Sequence, residues 1–136
     1  MATGADVMTT GADVMTQAFK RFGSKLTDEQ RGNFTSRAPY LLATVCCEAR
    51  ELDACYRKVH GLGEAPEFNE VEIDPVNTFP LCDRFVGAAS AYLAAMFIMD
   101  EDPDLSDKFF DIYCDNMARI QSEIPTQIES IAQKYL

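Results

Sequence analysis

Positive charge is scarce in this sequence, and the shortage limits what the chain can bind. Twelve lysines and arginines stand against 22 aspartates and glutamates, which gives a formal net charge of −10 at pH 7. Proteins that bind nucleic acid through its phosphates need clustered basic side chains. The composition therefore argues against direct binding of DNA or RNA.

Histidine is almost absent, because His60 is the only one in the chain. It precedes Gly61 at the predicted end of a helix, where an imidazolium complements the helix dipole. No phosphate-binding glycine loop and no nucleophile–histidine pair with a local signature accompany it. We therefore predict that the protein is not an enzyme and has no catalytic residues and no cofactor.

Long hydrophobic runs are missing as well. The longest, from Phe85 to Met99, is shorter than the roughly 20 residues that a membrane-spanning helix needs. Asp6 and Asp13 interrupt the apolar residues near the start of the chain, which also lacks the basic segment of a signal peptide. We expect neither an export signal nor a membrane partner.

The cysteines lack the spacing of a metal site. Adjacent cysteines on a helix point about 100° apart, so Cys46 and Cys47 cannot chelate zinc together as a C-x-x-C turn does. The acidic run at 100–107 lacks the glycine and the final glutamate of a calcium loop and is interpreted as helix capping. The cysteines lie within apolar helical patterns, and their odd number cannot pair completely within one chain, which favours a reducing compartment; they are Cys46, Cys47, Cys55, Cys82 and Cys114.

The first half of the chain has the pattern of two helical regions. Residues 3–9, TGADVMT, recur as 10–16, either as a native duplication or as an artificial extension. Thr10 and Asp13 form a capping-box pattern that predicts a helix near 11–23. Thr27 is the predicted N-cap of a second region that reaches about His60 and that Pro39 divides or kinks. Its apolar stripe consists of Leu42, Val45, Ala49, Leu52, Tyr56 and Val59.

The second half of the chain predicts a helical hairpin that follows a long connection. Between 61 and 80 glycine and proline recur and the helical period disappears. Leu81 to Asp100 is apolar nearly all round, so this helix must be covered on several sides. Asp102 and Pro103 start a fourth helix with Leu105, Phe109, Ile112, Tyr113, Met117 and Ile120 on its apolar face.

These patterns predict an all-α fold, a small bundle of four to five helices with a long 61–80 connection. The expected organisation is an N-terminal tail at 1–10, a helical domain at 11–123 and a C-terminal contact segment at 124–136. Pro125 interrupts the last helix, and apolar residues then recur in what we predict to be a short terminal helix. Within the connection, Val71 and Ile73 alternate with acids, which fits a short extended piece or an acidic solvated loop.

Two segments have apolar residues but little local structure to bury them, as expected of parts that become ordered against a partner. These segments are the 61–80 connection and the C-terminal segment. The predicted partner or oligomer contacts are Val71, Ile73, Phe79, Ile128, Ile131, Tyr135 and Leu136.

Residues 80–117 read PLCDRFVGAASAYLAAMFIMDEDPDLSDKFFDIYCDNM. This stretch resembles the head–tail connector, or adaptor, proteins of tailed bacteriophages and prophages. The shared features are a PL-x-D entry ending at Asp83, the pair Ala94-Ala95, an acidic turn at 100–102 and an F-x-x-x-Y helix from Phe109 to Tyr113. Residues 36–57 are similar to the long helix that precedes them in the family, whereas the duplicated N-terminus and the cysteines depart from its pattern.

The resemblance implies a structural subunit that forms a ring, a dodecamer in the virion, below the portal protein at the capsid vertex. Such a ring extends the DNA channel, contacts a tail or neck completion protein and lies in the neck of the virion, after synthesis in the cytoplasm of a bacterial host. An acidic channel surface would repel DNA rather than bind it, and the acids at 64–74 and 100–107 are the candidates. The apolar third helix would pack both its own bundle and a neighbouring subunit.

A second hypothesis explains the acidity differently. A small cytoplasmic regulatory or immunity-type protein could block an effector with an acidic face. Such a protein would remain a monomer or dimer at high concentration and would form no ring with a portal. The state of association therefore separates the two hypotheses.

Overall fold

The computed structural model describes residues 8–22 and 26–124. It contains four α-helices in these ranges, α1 (Gly11–Arg21), α2 (Asp28–His60), α3 (Val86–Ile98) and α4 (Pro103–Ser122). A single 3₁₀ turn at Asp83–Phe85 leads into α3. No strand occurs among the described residues, so the predicted all-α bundle with a long 61–80 connection is confirmed.

The helix ends follow from side-chain and backbone capping. The Thr10 side chain accepts a hydrogen bond from the amide of Asp13, and the Asp13 carboxylate accepts one from the amide of Thr10. Thr27 and Gln30 form the same capping box at the start of α2. Gly61 ends α2 in the left-handed conformation at φ 66°, which a glycine adopts without steric cost. Asp102 accepts from the amide of Leu105 at 3.1 Å, as its predicted role as the α4 N-cap requires.

Pro39 does not divide the second helical region. It lies inside α2, which continues over 33 residues from Asp28 to His60. A proline removes one amide donor from the ladder and usually bends or breaks a helix. Here the 61–80 connection packs beside this point, and the amide of Ile73 donates to the carbonyl of Pro39 at 2.9 Å.

The other predicted boundaries shift by a few residues. α1 ends at Arg21, and α3 begins after the 3₁₀ turn and ends at Ile98 rather than Asp100. Val59 and Ile112, which the sequence patterns place on buried faces, are 36% and 37% exposed. The predicted terminal helix lies outside the described residues.

The core is centred on α3, which packs between α1, α2 and α4. Its small side chains allow close approach on every side, and Ser106 of α4 donates to the carbonyl of Ala95 at 2.7 Å. Phe34 and Phe97 stack with ring centroids 5.0 Å apart. The further aromatic members of this layer are Phe19, Phe22 and Phe109.

This packing corrects the expectation that α3 also packs against a neighbouring subunit. Residues 88–95, Phe97 and Ile98 are all buried within the chain itself. The apolar surface of α3 therefore gives no reason to expect a partner. Any contact surface must lie elsewhere on the molecule.

Candidate partner-binding surface

The 61–80 connection is attached to α2 by a buried ion pair. Asp53 is only 1% exposed and accepts from Nε of Arg57 at 2.9 Å and from the amide of Cys82 at 2.9 Å. Arg57 also donates to the carbonyl of Pro80 at 3.2 Å and to that of Glu64 at 3.4 Å. One pair of side chains thus holds both ends of the connection against the same helix.

The middle of the connection is held by a second arginine of α2. The Arg50 guanidinium lies 4.5 Å from the centre of the Phe68 ring and 3.7 Å from a carboxylate oxygen of Glu70. A cation over an aromatic face contributes about 0.5–1 kcal/mol at exposed sites. Cys47 adds a weak contact to the carbonyl of Glu70 at 3.7 Å.

The last part of the connection satisfies the free amides at the start of α1. The amide of Ala12 donates to the carbonyl of Pro75 at 2.8 Å, and that of Gly11 donates to Asn77 at 3.1 Å. The first amides of a helix have no partner within the helix, so an external carbonyl stabilises its end. The amide of Phe79 in turn donates to Thr9 at 2.8 Å.

These contacts change the expected domain boundaries. Thr9 and Thr10 belong to the fold rather than to an N-terminal tail, because Thr10 also forms an isolated antiparallel bridge with Thr78. At the other end, Ile124 is 3% exposed and belongs with the bundle. Residues 1–7 lie outside the described residues.

Two of the predicted contact residues are taken up by the core. Ile73 is 5% exposed and Phe79 is 3% exposed, so neither side chain is available to a partner in this structure. The prediction failed for them because the sequence does not reveal that the connection folds back over α1 and α2. The contact residues Ile128, Ile131, Tyr135 and Leu136 lie outside the described residues.

Val71 is by contrast exposed, and so is Val76 on the same connection. Their side chains are 71% and 76% exposed, the highest values among the exposed large hydrophobic residues of the described ranges. Val71 is held between Asn69, whose side chain accepts from its amide at 2.8 Å, and the buried Ile73. We call Val71 and Val76 the exposed valine pair; sequence reasoning missed Val76 because no periodic pattern includes it.

A large concavity opens between the connection and the 3₁₀ turn. Its volume is about 1180 Å³, and its lining includes Tyr56, Leu62, Phe68 and Arg84. Met8 and Leu62 at this concavity are 59% and 49% exposed. The volume slightly exceeds the roughly 300–1,000 Å³ of ordinary small-molecule pockets, so the concavity has room for a short peptide segment.

The exposed face of α4 is acidic. Four aspartates separated by three or four residues share one side of the helix, and all are exposed: Asp104, Asp107, Asp111 and Asp115. The stripe continues the acidic turn at 100–102, which was predicted from the sequence. Lys108 is the only base within this part of the helix.

The five cysteines differ in burial, since Cys46 is buried, Cys114 is exposed and the other three are intermediate. Burial raises the pKa of the Cys46 thiol to about 12, and burial with a hydrogen bond to Asp53 raises that of Cys82 to about 11. A thiol that stays protonated at pH 7 is a poor nucleophile and a poor metal ligand. His60 packs against Tyr56 with ring centroids 4.2 Å apart, at the end of α2 where it was predicted.

Two charged side chains of α2 have partners within the fold. Glu48 accepts from the hydroxyl of Tyr113 at 2.9 Å, which links α2 to α4. The pKa of Tyr113 is raised, mainly by burial and next by this hydrogen bond to Glu48. Arg57 pairs with buried Asp53 rather than with a glutamate of the helix surface.

Within residues 8–22 and 26–124, no helix combines the length and the apolar character that crossing a membrane requires. No group of three or more potential ligands in the same part of the chain could hold a metal ion. Comparison with protein-family models, with curated proteins and with solved structures finds no match to this chain.

Proposed function

We propose that the chain is a structural subunit of a phage or prophage head–tail connector, joining a portal ring to the next neck or tail component. The resemblance of residues 80–117 suggests this family, and the all-helical fold agrees with it. The exposed valine pair is the observation that carries the proposal. A firmly held connection that presents two apolar side chains to solvent suits a surface that another protein covers.

The acidic stripe on α4 has a place in the same proposal. In a ring with α4 towards the channel, its carboxylates would repel DNA phosphates and let the duplex pass without binding. The stripe also favours the second candidate, a small regulatory or immunity-type protein that blocks a basic effector surface. Ring formation on a portal separates the two functions.

The experiment combines the purified chain with portal rings of the phage or prophage that encodes it. We expect electron microscopy to show an additional ring below the portal, and gel filtration to show co-elution. The double variant Val71→Asp/Val76→Asp should lose the ring, because two carboxylates cannot be desolvated against an apolar partner without large cost. The control, Val59→Asp, adds one carboxylate at an exposed valine of α2.

A wild-type chain that stays a monomer or dimer and never binds the portal would overturn the connector proposal and favour the regulatory protein. A valine double variant that still forms rings would instead show that the contact lies on another surface. Circular dichroism and unfolding curves must first show that both variants fold as the wild type does.

A further inference from the structure

The end of α4 lies beside the concavity that the connection forms. Glu123, just after the helix, accepts two hydrogen bonds from Arg84, at 3.0 Å from Nε and 2.6 Å from Nη2. Arg84 itself lines the concavity. The chain therefore leaves its described part, at buried Ile124, next to this opening.

The residues that follow have the composition of a segment suited to this site. Residues 125–136 read PTQIESIAQKYL, and Ile128, Ile131 and Tyr135 are three and four residues apart, as on one face of a helix. Twelve residues cover about 18 Å as a helix and more when extended. The segment is therefore long enough to reach across an opening that begins beside Ile124.

The concavity offers matching chemistry. Its apolar part includes Met8 and Leu62, whose side chains are largely exposed in the described structure, together with half-buried Phe68. Its lining carries both signs of charge, with Glu64 and Glu67 beside Arg57 and Arg84, and the segment likewise has one acid, Glu129, and one base, Lys134. An apolar face bordered by one charge of each sign thus suits an apolar surface bordered by charges of both signs.

We propose that residues 125–136 bind in this concavity of the same chain, covering Met8 and Leu62. The occupant is the chain's own segment rather than a separate peptide because it begins beside the site. A short tether gives an effective concentration in the millimolar range, so even a weak contact is populated. The inference concerns the isolated chain and does not depend on the connector proposal.

Methyl NMR of the full chain tests this directly, with the methionine and leucine methyl groups labelled. The signal of Met8, identified by its loss in Met8→Leu, should shift when the chain is cut after Ile124. The signals of Leu62 should also shift, towards the positions expected of a more exposed side chain. Met99 is 45% exposed and does not line the concavity, so its signal should stay unchanged as an internal control.

A full-length variant guards against effects of truncation. Ile128→Asp/Ile131→Asp should move the Met8 signal to its position in the shortened chain, whereas Gln127→Ala/Gln133→Ala should leave it near the wild-type position. A synthetic peptide of residues 125–136, added at millimolar concentration to the shortened chain, should restore the wild-type position.

The proposal would be overturned if the Met8 signal, and likewise the Leu62 signals, had the same positions in the full chain and in the shortened chain. Shifts that disappear on dilution would also overturn it, because they would place the segment of a second copy in the site. Shifts that are independent of protein concentration and reversed by the peptide would support it. None of these outcomes involves a portal, so this test and the connector test can fail separately.

Discussion

Asp53 is the residue on which the position of the 61–80 connection depends most. Its carboxylate is 1% exposed and bonds both Arg57 and the amide of Cys82. Removing one partner of a buried ion pair leaves the other charge uncompensated and typically costs about 3–5 kcal/mol. We expect Asp53→Ala to lower the free energy of unfolding by about this amount in urea titrations.

Glu51→Ala is the matched control for this prediction, since Glu51 is exposed on the same helix. Surface substitutions of this kind usually change stability by less than about 0.5 kcal/mol. A loss below about 1 kcal/mol in Asp53→Ala would contradict the assigned role of the pair. Faster hydrogen exchange of the Cys82 amide in the variant would locate the effect at the connection.

The importance of Asp53 could not be predicted from the sequence. The spacing of Asp53 and Arg57 permits a helical ion pair, but many such pairs are solvated and contribute little. Burial of the pair depends on Cys82, which lies 29 residues away and reaches Asp53 only because the connection folds back. Local spacing predicts that two side chains can meet, and it does not predict what covers them.

At the scale of elements, two helical glycines have opposite surroundings. A Cβ at Gly11 would lie 2.9 Å from Cδ1 of Leu42 and 3.0 Å from the backbone of Pro75, whereas one at Gly32 would meet nothing within 4 Å. Gly11→Ala should therefore destabilise the protein by about 1–3 kcal/mol through crowding. Gly32→Ala should stabilise it by about 0.5–1 kcal/mol, because alanine favours the helical backbone.

Thermal unfolding of the two variants beside the wild type measures both effects, and each variant is the control for the other. If Gly11→Ala were neutral or stabilising, α1 would not pack as closely on the connection as the structure shows. If Gly32→Ala were destabilising, the open surroundings of that part of α2 would be wrong.

The elements themselves were largely predictable, because their signals are local. Thr10, Thr27, Asp102 and Gly61 cap the helices as the sequence indicates. The effect of Pro39 was not predictable, since propensity alone favours a break there. The surface of α3 was misjudged for a similar reason: the pattern shows that a helix must be covered, and only the packed bundle shows that its own chain covers it.

At the scale of the whole molecule, the bundle accounts for its own core, and the described residues that remain strongly exposed and apolar include the valine pair on the connection. The exposed valine pair and the concavity both result from one long-range arrangement, in which residues 61–80 cross α2 and meet the start of α1. No periodicity within the connection encodes this arrangement. Of the described residues predicted as contacts, Val71 is exposed whereas Ile73 and Phe79 are buried, and the sequence does not indicate Val76.

The stability of the whole molecule should depend on pH through the Arg84–Glu123 pair, which joins the 3₁₀ turn to the end of α4. The hydrogen bonds from Arg84 hold the pKa of Glu123 below its ordinary value of 4.5. A lowered folded-state pKa stabilises the protein above the ordinary value, and this contribution is lost as the pH falls through the folded-state pKa. The Glu123→Gln variant should therefore unfold at lower urea concentration than the wild type at neutral pH, and the difference should shrink below pH 4.5.

Glu101→Gln, at an exposed position in the α3–α4 turn, controls for the loss of one negative charge. A difference between Glu123→Gln and wild type that stays constant from neutral to acidic pH would show that the carboxylate does not stabilise the bundle through Arg84.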